Sequence, residues 1–327
     1  MRIIFFQRIN FFVLLVLFFF MGSHNTVFGA TTIRVPTTEY PTIQAGIDAA
    51  SDGDTILVAD GTYTGEGNKD IDINGKAITV QSENGPSKCI IDCEGNGRGF
   101  YLQSDAKSTI NGFTITNGVA NYGGAIRCVK SNTIINCRII DNQANASGGG
   151  VFFVLGNLYQ PARIINCIFA GNTAAWGGAM YFSSSNAQVI NCTTIKNTGT
   201  GSIGNSCSSY PPSFTNCILW EDTFYLDPYC LPSFSYCDIK GTSITGSTII
   251  NSDPLFVDVM DPDPMQWDLH LSSSSPCIDK GTSAGAPDTD IDGNSRPQGP
   301  GYDMGAYEHV KESSSLAGPI LLLLMDE

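Results

Sequence analysis

One sequence pattern recurs six times between Asn111 and Ile239 and limits the possible folds more than any other feature. Its clearest copy runs from Ile165 to Asn172 and reads INCIFAGN. The copies begin at Asn111, Asn136, Asn166, Asn191, Asn216 and Tyr236, so the steps between them are 25, 30, 25, 25 and 20 residues. This period is typical of stacked repeat proteins, in which each unit needs its neighbours in order to bury its apolar face.

The spacing of apolar residues within each copy predicts strands. Residues expected to face inward alternate around the cysteine: Ile135, Cys137, Ile139; Ile165, Cys167, Phe169; Ile190, Cys192, Thr194; and Thr215, Cys217, Leu219. A period of two indicates a strand, and no run of 3.6-residue periodicity long enough for a helical repeat occurs between Asn111 and Ile250. Short strands joined by Gly, Asn and Ser turns predict an all-β fold, a parallel β-helix.

Asparagine occupies two repeat positions. The first column is Asn111, Asn136, Asn166, Asn191 and Asn216; the second is Asn117, Asn142, Asn172 and Asn197, continued by Asp222. Asparagine tolerates left-handed backbone, and stacked amides bond to the copies above and below. We therefore expect ladders at the corners of the coil. A polar row that binds a ligand is the alternative.

The first thirty residues have the features of a secretory signal peptide. Two arginines precede an apolar run from Phe11 to Met21, and small residues near Ala30 suit cleavage. The run is short for a membrane anchor, which is the alternative, and no transmembrane span is expected after its removal. The remaining chain has 31 acidic and 15 basic residues, a net charge of −16. Such a surface repels nucleic acid and anionic lipid, and it suits a secreted, extracellular or cell-surface protein or a cation-binding one.

The eleven cysteines do not all fit a disulfide framework. Five of them share one repeat position: Cys137, Cys167, Cys192, Cys217 and Cys237. Stacked side chains lie about 4.8 Å apart and point the same way, beyond the roughly 3.8 Å Cβ separation of a disulfide. We predict a buried column of free thiols; a metal site is the alternative. Cys207 and Cys230 are candidates for a bridge, and the remaining four cysteines are undetermined.

The chain before and after the repeats predicts two capping segments. Residues 41–50 form an amphipathic helix with Ile43, Ile47 and Ala50 on one face, suited to plug the open end of a β-helix. The stretches 42–50, 52–56 and 61–63 resemble the opening of secreted right-handed β-helix proteins of the pectin-lyase-like superfamily. The Gly-Gly pairs at 123–124, 149–150 and 177–178 are similar to those of polymorphic outer-membrane-type repeats.

The stretches 253–258, 275–281, 290–297 and 303–308 are similar to the ending of choice-of-anchor Q proteins. The resemblance implies a right-handed parallel β-helix with an N-terminal cap over residues 31–250 and a closing segment over 251–309. In that family a surface-anchoring tail can follow; here the tail is 310–327, and its apolar part is too short to span a bilayer. Either the anchor is absent or the chain is truncated. The resemblance implies the fold and leaves the activity open.

One acidic cluster predicts a calcium site. Asp288, Asp290 and Asp292 alternate and are followed by Gly293, as in loops that wrap a hard cation with oxygen ligands. The glutamate of an EF-hand is missing at the twelfth position, so Asp303 or Glu308 would complete the shell only if the chain folds back. In the alternative, the cluster is a solvated turn in which Asp290 or Asp292 pairs with Arg296.

Two aromatic residues, Tyr122 and Trp176, each precede a Gly-Gly pair and are candidates for stacking on sugars; turn packing is the alternative. A uronate lyase would need a basic side chain and a cation. Basic and acidic residues on or near the coils are Arg127, Lys130, Arg138, Arg163, Lys196, Asp92 and Asp141, and they form no recognisable catalytic set. We therefore expect a protein that binds polysaccharide or cell-surface glycan, or has a structural or adhesive role. A polysaccharide lyase or glycoside hydrolase is the alternative.

Overall fold

The structure is a computed structural model that describes residues 29–103, 106–155, 160–206, 211–240 and 244–310. The predicted signal peptide and tail lie almost entirely outside the described residues and stay predictions. Within the described ranges, no helix has the length and apolar character needed to cross a bilayer.

The chain winds into coils, and each coil adds one strand to each of three parallel sheets. Sheet A contains Thr32–Val35, Thr55–Val58, Thr79–Ser82, Thr109–Asn111, Thr133–Ile135, Arg163–Ile165, Gln188–Ile190, Ser213–Thr215 and Ser233–Ser235. Sheet B contains Gly61–Tyr63, Cys89–Asp92, Thr114–Thr116, Arg138–Ile140, Ile168–Ala170, Thr193–Ile195, Ile218–Trp220, Cys237–Ile239 and Ile249–Ile250. Sheet C contains Ile71–Asp72, Phe100–Leu102, Ile126–Val129, Val151–Val154, Met180–Ser183, Ile203–Ser206 and Phe224–Tyr225. A shorter sheet D, between sheets B and C, contains Val119–Tyr122, Gln143–Ser147, Thr173–Trp176 and Thr198–Thr200. The predicted all-β parallel β-helix is confirmed.

The corner between sheets A and B changes which residues face inward. Asn136 and Asn166 have left-handed backbone, with φ of 52° and 50°. Before this corner, Ile134 and Ile164 enter the core and are fully buried, and strand alternation therefore turns Ile135 and Ile165 to the outer side. The predicted inward positions of Ile135, Ile165, Ile190 and Thr215 are wrong, because the alternation does not continue through a left-handed residue.

Both asparagine columns form ladders, each with one correction. Asn136 donates to Asn111 (3.0 Å), but strand register pairs Asn111 with Ile135, and Gly112 takes the left-handed corner position instead. The second ladder runs through Asn142, Asn172, Asn197 and Asp222, all buried. Asn117 lies one register position earlier, where its left-handed backbone makes the turn.

Asp222 ends the second ladder, and replacing it by asparagine should stabilise the protein at neutral and alkaline pH. Burial raises the pKa of Asp222 to about 6. The carboxyl therefore contributes stability below pH ~4 that is lost as the pH rises through about 6. We expect Asp222→Asn to raise the free energy of unfolding by about 1–3 kcal/mol at pH 8 and to have little effect near pH 4. Urea unfolding at both pH values, with exposed Asp258→Asn as control, measures this; an equal gain at both would contradict it.

The thiol column is present as predicted. All five cysteines are free and fully buried. Burial raises the pKa of the Cys137, Cys167, Cys192 and Cys237 thiols, so they behave as small apolar side chains. Cys89, Cys93, Cys128 and Cys277 are also free and buried. Cys230 is disulfide-bonded, and Cys207 lies outside the described residues.

The predicted cap is a helix over Ile43–Ala49, shorter than expected because Thr42 serves as its N-cap and accepts a bond from the Ala45 amide. Ile43 and Ile47 are fully buried against the first strands of sheet A. A Cβ on Gly46 would lie 2.7 Å from Val35, so glycine is required for this close approach.

The C-terminal segment 251–309, which we call the strap, lies along the side of the coils. It contains an antiparallel pair, Phe256–Asp258 with Asp268–Leu271, and a 3-10 helix, Pro264–Gln266. Its apolar side chains cover the outer face of sheet B and form a second core: Trp267, Leu269, Leu271, Met304 and Tyr307 pack with Ile140, Ile168, Ile195, Ile218 and Trp220. The strands of sheet B from Arg138–Ile140 to Ile218–Trp220 are therefore buried on both faces, while Tyr122, Trp176 and Tyr225 on sheets C and D remain exposed.

Candidate functional site

The outer side of sheet C carries a row of large side chains that is interrupted at one coil by a glycine. Strand register aligns Tyr101, Arg127, Phe152, Tyr181, Gly204 and Tyr225. Their neighbours along each strand, such as Phe100 and Phe153, point into the core, so alternation turns this row outward. Tyr181 lies over Gly204, where a Cβ would come within 2.8 Å of the ring.

A second row on sheet D lies beside the first. Register places Tyr122, Ser147, Trp176 and Thr200 in line. Ring contacts join the two rows: Tyr122 packs on Phe152 with centroids 4.9 Å apart, and Trp176 packs on Tyr225 at 4.7 Å. Phe152 also stacks on Tyr181 at 5.9 Å with an angle of 15° between the planes. We call these residues the aromatic strip: Tyr101, Tyr122, Phe152, Trp176, Tyr181 and Tyr225.

The aromatic strip is partly open to solvent and extends along the coil axis. Tyr122, Trp176 and Tyr225 are 44%, 39% and 43% exposed. Five coil steps separate Tyr101 from Tyr225, a distance of about 24 Å at about 4.8 Å per step. Rings at this spacing present flat apolar faces with polar edges to an extended ligand.

Two arginines flank the first ring of the strip. The Arg127 guanidinium lies 5.1 Å from the Tyr101 ring centroid, and its Nη1 donates to the Tyr101 hydroxyl at 2.9 Å. Arg98 lies 5.4 Å from the same centroid and donates to the Tyr122 carbonyl at 2.8 Å. Burial lowers the pKa of Arg98, and the negative charge of Asp70 opposes this shift. These contacts fix the orientation of Tyr101.

The four aspartates predicted to bind calcium lie in two different environments: two are buried and two are exposed. Asp290 and Asp303 are buried and accept backbone N–H bonds, Asp290 from Asp292, Asn294 and Glu308 and Asp303 from Asp279 and His309. Asp288 is exposed, and Asp292 contacts His270 at 2.9 Å. No group of three acidic, histidine or cysteine residues among the described residues is placed to hold a metal. The calcium site stays a prediction.

In the alternative interpretation of the acidic cluster, Asp290 or Asp292 pairs with Arg296. The structure shows a different partner: Arg296 forms its ion pair with Glu308 at 2.8 Å, and both side chains are buried.

The basic residues considered for catalysis lie on separate surfaces. Arg127 is on sheet C, Arg163 is on sheet A, and the strap carbonyls of Met265 and Val259 accept from Arg138 and Lys196.

The sequence identified two members of the strip, Tyr122 and Trp176, through their Gly-Gly neighbours. It did not identify Tyr101, Phe152, Tyr181 and Tyr225. The separation between aligned positions of their row varies from 21 to 29 residues, because the turns differ in length from coil to coil. Phe152 and Tyr181 could have been found from the sequence by counting each aromatic residue's position from the nearest Gly-Gly pair and from the inward-facing residues of its strand.

Comparison with known proteins gives fold-level similarities. No protein-family model matches the chain, and no curated protein matches it. Among solved structures, the chain is similar to the pectate lyase Pel9A, with a TM-score of 0.33 and 18% identity over 87% of this chain and 98% of that one. It is also similar to a mannuronic acid-specific family 6 polysaccharide lyase from the human gut microbiota, with a TM-score of 0.38 and 14% identity over 64% of this chain and 54% of that one. The present chain thus spans about half the length of the second enzyme.

Proposed function

We propose that this protein binds a polysaccharide lengthwise along the aromatic strip, as a secreted or cell-surface binding or adhesive protein. The observation that carries the proposal is the strip itself: six aromatic side chains in two neighbouring rows over about 24 Å, of which three are 39–44% exposed and Phe152 is buried beneath Tyr122 and Tyr181. Aromatic rings give sugars a flat apolar surface together with polar edges. A row of them suits a chain ligand better than a single small molecule.

The arrangement of charges supports binding over catalysis. A lyase needs a basic side chain beside the sugar carbon that loses its proton. On the strip, both arginines are engaged with Tyr101 or Tyr122. Of the other basic candidates, Arg163 lies on sheet A, and Arg138 and Lys196 donate to strap carbonyls. The enzyme alternative therefore receives no geometric support.

Two observations support an extracellular location. The sequence predicts a signal peptide over residues 1–30, and Cys230 is disulfide-bonded, which is typical of oxidising compartments. The free thiols of the described residues are buried, which shields them from oxidants, so they are compatible with such a compartment.

Replacing Trp176 by alanine tests the proposal. The purified protein is incubated with a panel of insoluble and soluble neutral and uronic polysaccharides, and binding is measured by pull-down and affinity electrophoresis. We expect at least one polysaccharide to bind and Trp176→Ala to weaken it about tenfold, because the indole loses both a ligand face and its support of Tyr225. Tyr229→Ala, at a tyrosine that is 93% exposed and outside the strip, is the control.

The same incubations are assayed for unsaturated products and new reducing ends, with calcium and with chelator. Release of product would overturn the binding-only function. Absence of binding by folded protein across the panel, or equal binding by wild type and Trp176→Ala, would overturn the strip as the site.

A further inference from the structure

A cavity lies away from the aromatic strip, at the corner between sheets A and B. It has a volume of about 280 Å³ and is bounded by the corner residues of three coils, the loop 82–87 and the strap loop 289–293. We call it the corner pocket. Its volume is near the lower end of the roughly 300–1,000 Å³ typical of small-molecule sites, so it suits one ring and not a chain.

The floor of the corner pocket is a polarised row of side-chain amides. Asn166 donates to Asn136 (3.1 Å), Asn136 donates to Asn111 (3.0 Å), and Asn111 donates weakly to Gln81 (3.4 Å). Each amide nitrogen carries two hydrogens, and these bonds use one of them. Among the described residues, no protein acceptor takes the second hydrogen of Asn136 or Asn111. The Gln81 amide nitrogen likewise donates to none of them.

The strap shows what chemistry this ladder recognises. In the coils beyond the pocket, strap carbonyls accept from the same column: Thr289 from Asn166 at 2.7 Å, Asp303 from Asn191 at 3.1 Å and Thr282 from Asn216 at 2.7 Å. Asn216 also accepts from the Thr282 amide at 2.8 Å. The ladder is thus occupied by a neutral hydrogen-bonding chain in three coils. At Asn136, Asn111 and Gln81 the strap turns away, and the amides face the pocket instead.

The charges around the pocket disfavour an ionic ligand. Asp290 is 1% exposed, and both of its oxygens accept hydrogen bonds from the strap loop. Asp292 contacts His270, which also contacts Asp268 and packs against the Tyr307 ring at an angle of 31°. The two carboxylates raise the pKa of His270 to about 9, so the imidazole is charged at neutral pH and offsets Asp292. Among the described residues that line the pocket, none is basic and able to hold an anion, and no carboxylate is unengaged and able to hold a cation.

We propose that the corner pocket binds a single neutral sugar ring, with its hydroxyl groups bonded to the amides of Asn136, Asn111 and Gln81. The carboxylate of Asp292, at the strap wall, accepts from a further hydroxyl. Pro86 and Ile291 supply apolar surface for the ring. This site is separate from the aromatic strip, which lies on sheets C and D, and it does not depend on the function proposed for the strip.

The test uses variants whose replacements already occur at the same register position. Register aligns Asn111 with Ile135 and Gln81 with Leu57, so Asn111→Ile and Gln81→Leu remove pocket amides while keeping side chains that neighbouring coils accommodate. The probes are the methyl glycosides of glucose, galactose, mannose, xylose and N-acetylglucosamine, together with methyl glucuronide. Binding is measured by saturation-transfer NMR and by titration calorimetry.

We expect at least one neutral glycoside to bind with millimolar affinity and methyl glucuronide to bind more weakly than methyl glucoside. Asn111→Ile and Gln81→Leu should each weaken binding tenfold or more, while Trp176→Ala changes it less than twofold. No binding by any neutral glycoside, or binding that both pocket variants retain, would overturn the proposal. Binding lost in Trp176→Ala and retained in the pocket variants would assign the sugar to the strip instead. Circular dichroism checks that each variant folds. If Asn111→Ile does not fold, Gln81→Leu alone tests the proposal.

Discussion

Replacing Glu308 by alanine is expected to destabilise the protein by about 3–5 kcal/mol. Glu308 and Arg296 form an ion pair whose side chains are 1% and 0% exposed. Glu308 also accepts from the backbone N–H groups of Gln298 and Asp303. Its removal takes away the carboxylate that is hydrogen-bonded to a buried guanidinium and leaves two amides without their acceptor, which costs far more than the loss of a surface pair. Urea unfolding followed by tryptophan fluorescence is a direct measurement, because Trp220 and Trp267 lie in the core between coils and strap.

The matched control is the exposed ion pair between Lys240 and Glu221, at 3.4 Å with side chains 43% and 38% exposed. Glu221→Ala should change the free energy of unfolding by less than about 1 kcal/mol, since solvent screens such pairs. If Glu308→Ala and Glu221→Ala behaved alike, the buried pair would not be what holds the strap in place.

The fold could be predicted from the sequence because its signal is repeated. The cysteine column, the two asparagine columns and the Gly-Gly pairs each recur at one position per coil, so a single misread copy does not change the conclusion. The cap was predicted for the same reason of internal consistency: Ile43, Ile47 and Ala50 lie on one face, and all three are buried. Errors arose where one residue alone sets the geometry. The left-handed backbone of Asn136 reverses the facing of Ile135, and Gly112 displaces Asn111 from its column.

The candidate sites could be predicted only in part, because they depend on contacts between distant segments. Nothing in the local sequence indicates that Glu308 pairs with Arg296, or that Asp290 is enclosed by backbone N–H groups of its own loop and of Glu308. Ile168 and Ile195 carry a signal that could have predicted the covering strap, since a strand buried on both sides loses its polar alternation. The aromatic strip was only partly visible, because its members align in space but not at a constant sequence interval.

Replacing Asn172 by alanine is expected to destabilise the protein by about 2–5 kcal/mol, since at least two buried groups lose a partner at about 1–3 kcal/mol each. Asn172 is fully buried; its Oδ1 accepts from the Asn142 backbone N–H and side chain, both at 3.0 Å. Its Nδ2 donates to the Ile139 carbonyl at 2.8 Å and to Asn197 at 2.9 Å. Alanine can make none of these bonds, and water has no access to replace them. Urea unfolding followed by far-UV circular dichroism measures the change.

An exposed asparagine ladder on the same coils provides the control. Asn145 donates to Asn121 at 3.2 Å in an exposed position, one coil from its acceptor, as in the buried ladder. Because water satisfies these amides when the bond is lost, Asn145→Ala should change the free energy of unfolding by no more than about 0.5 kcal/mol. The comparison separates burial from ladder geometry: a large loss in both variants would show that stacking of amides is itself stabilising, and a small loss in both would contradict the structural role assigned to the buried column.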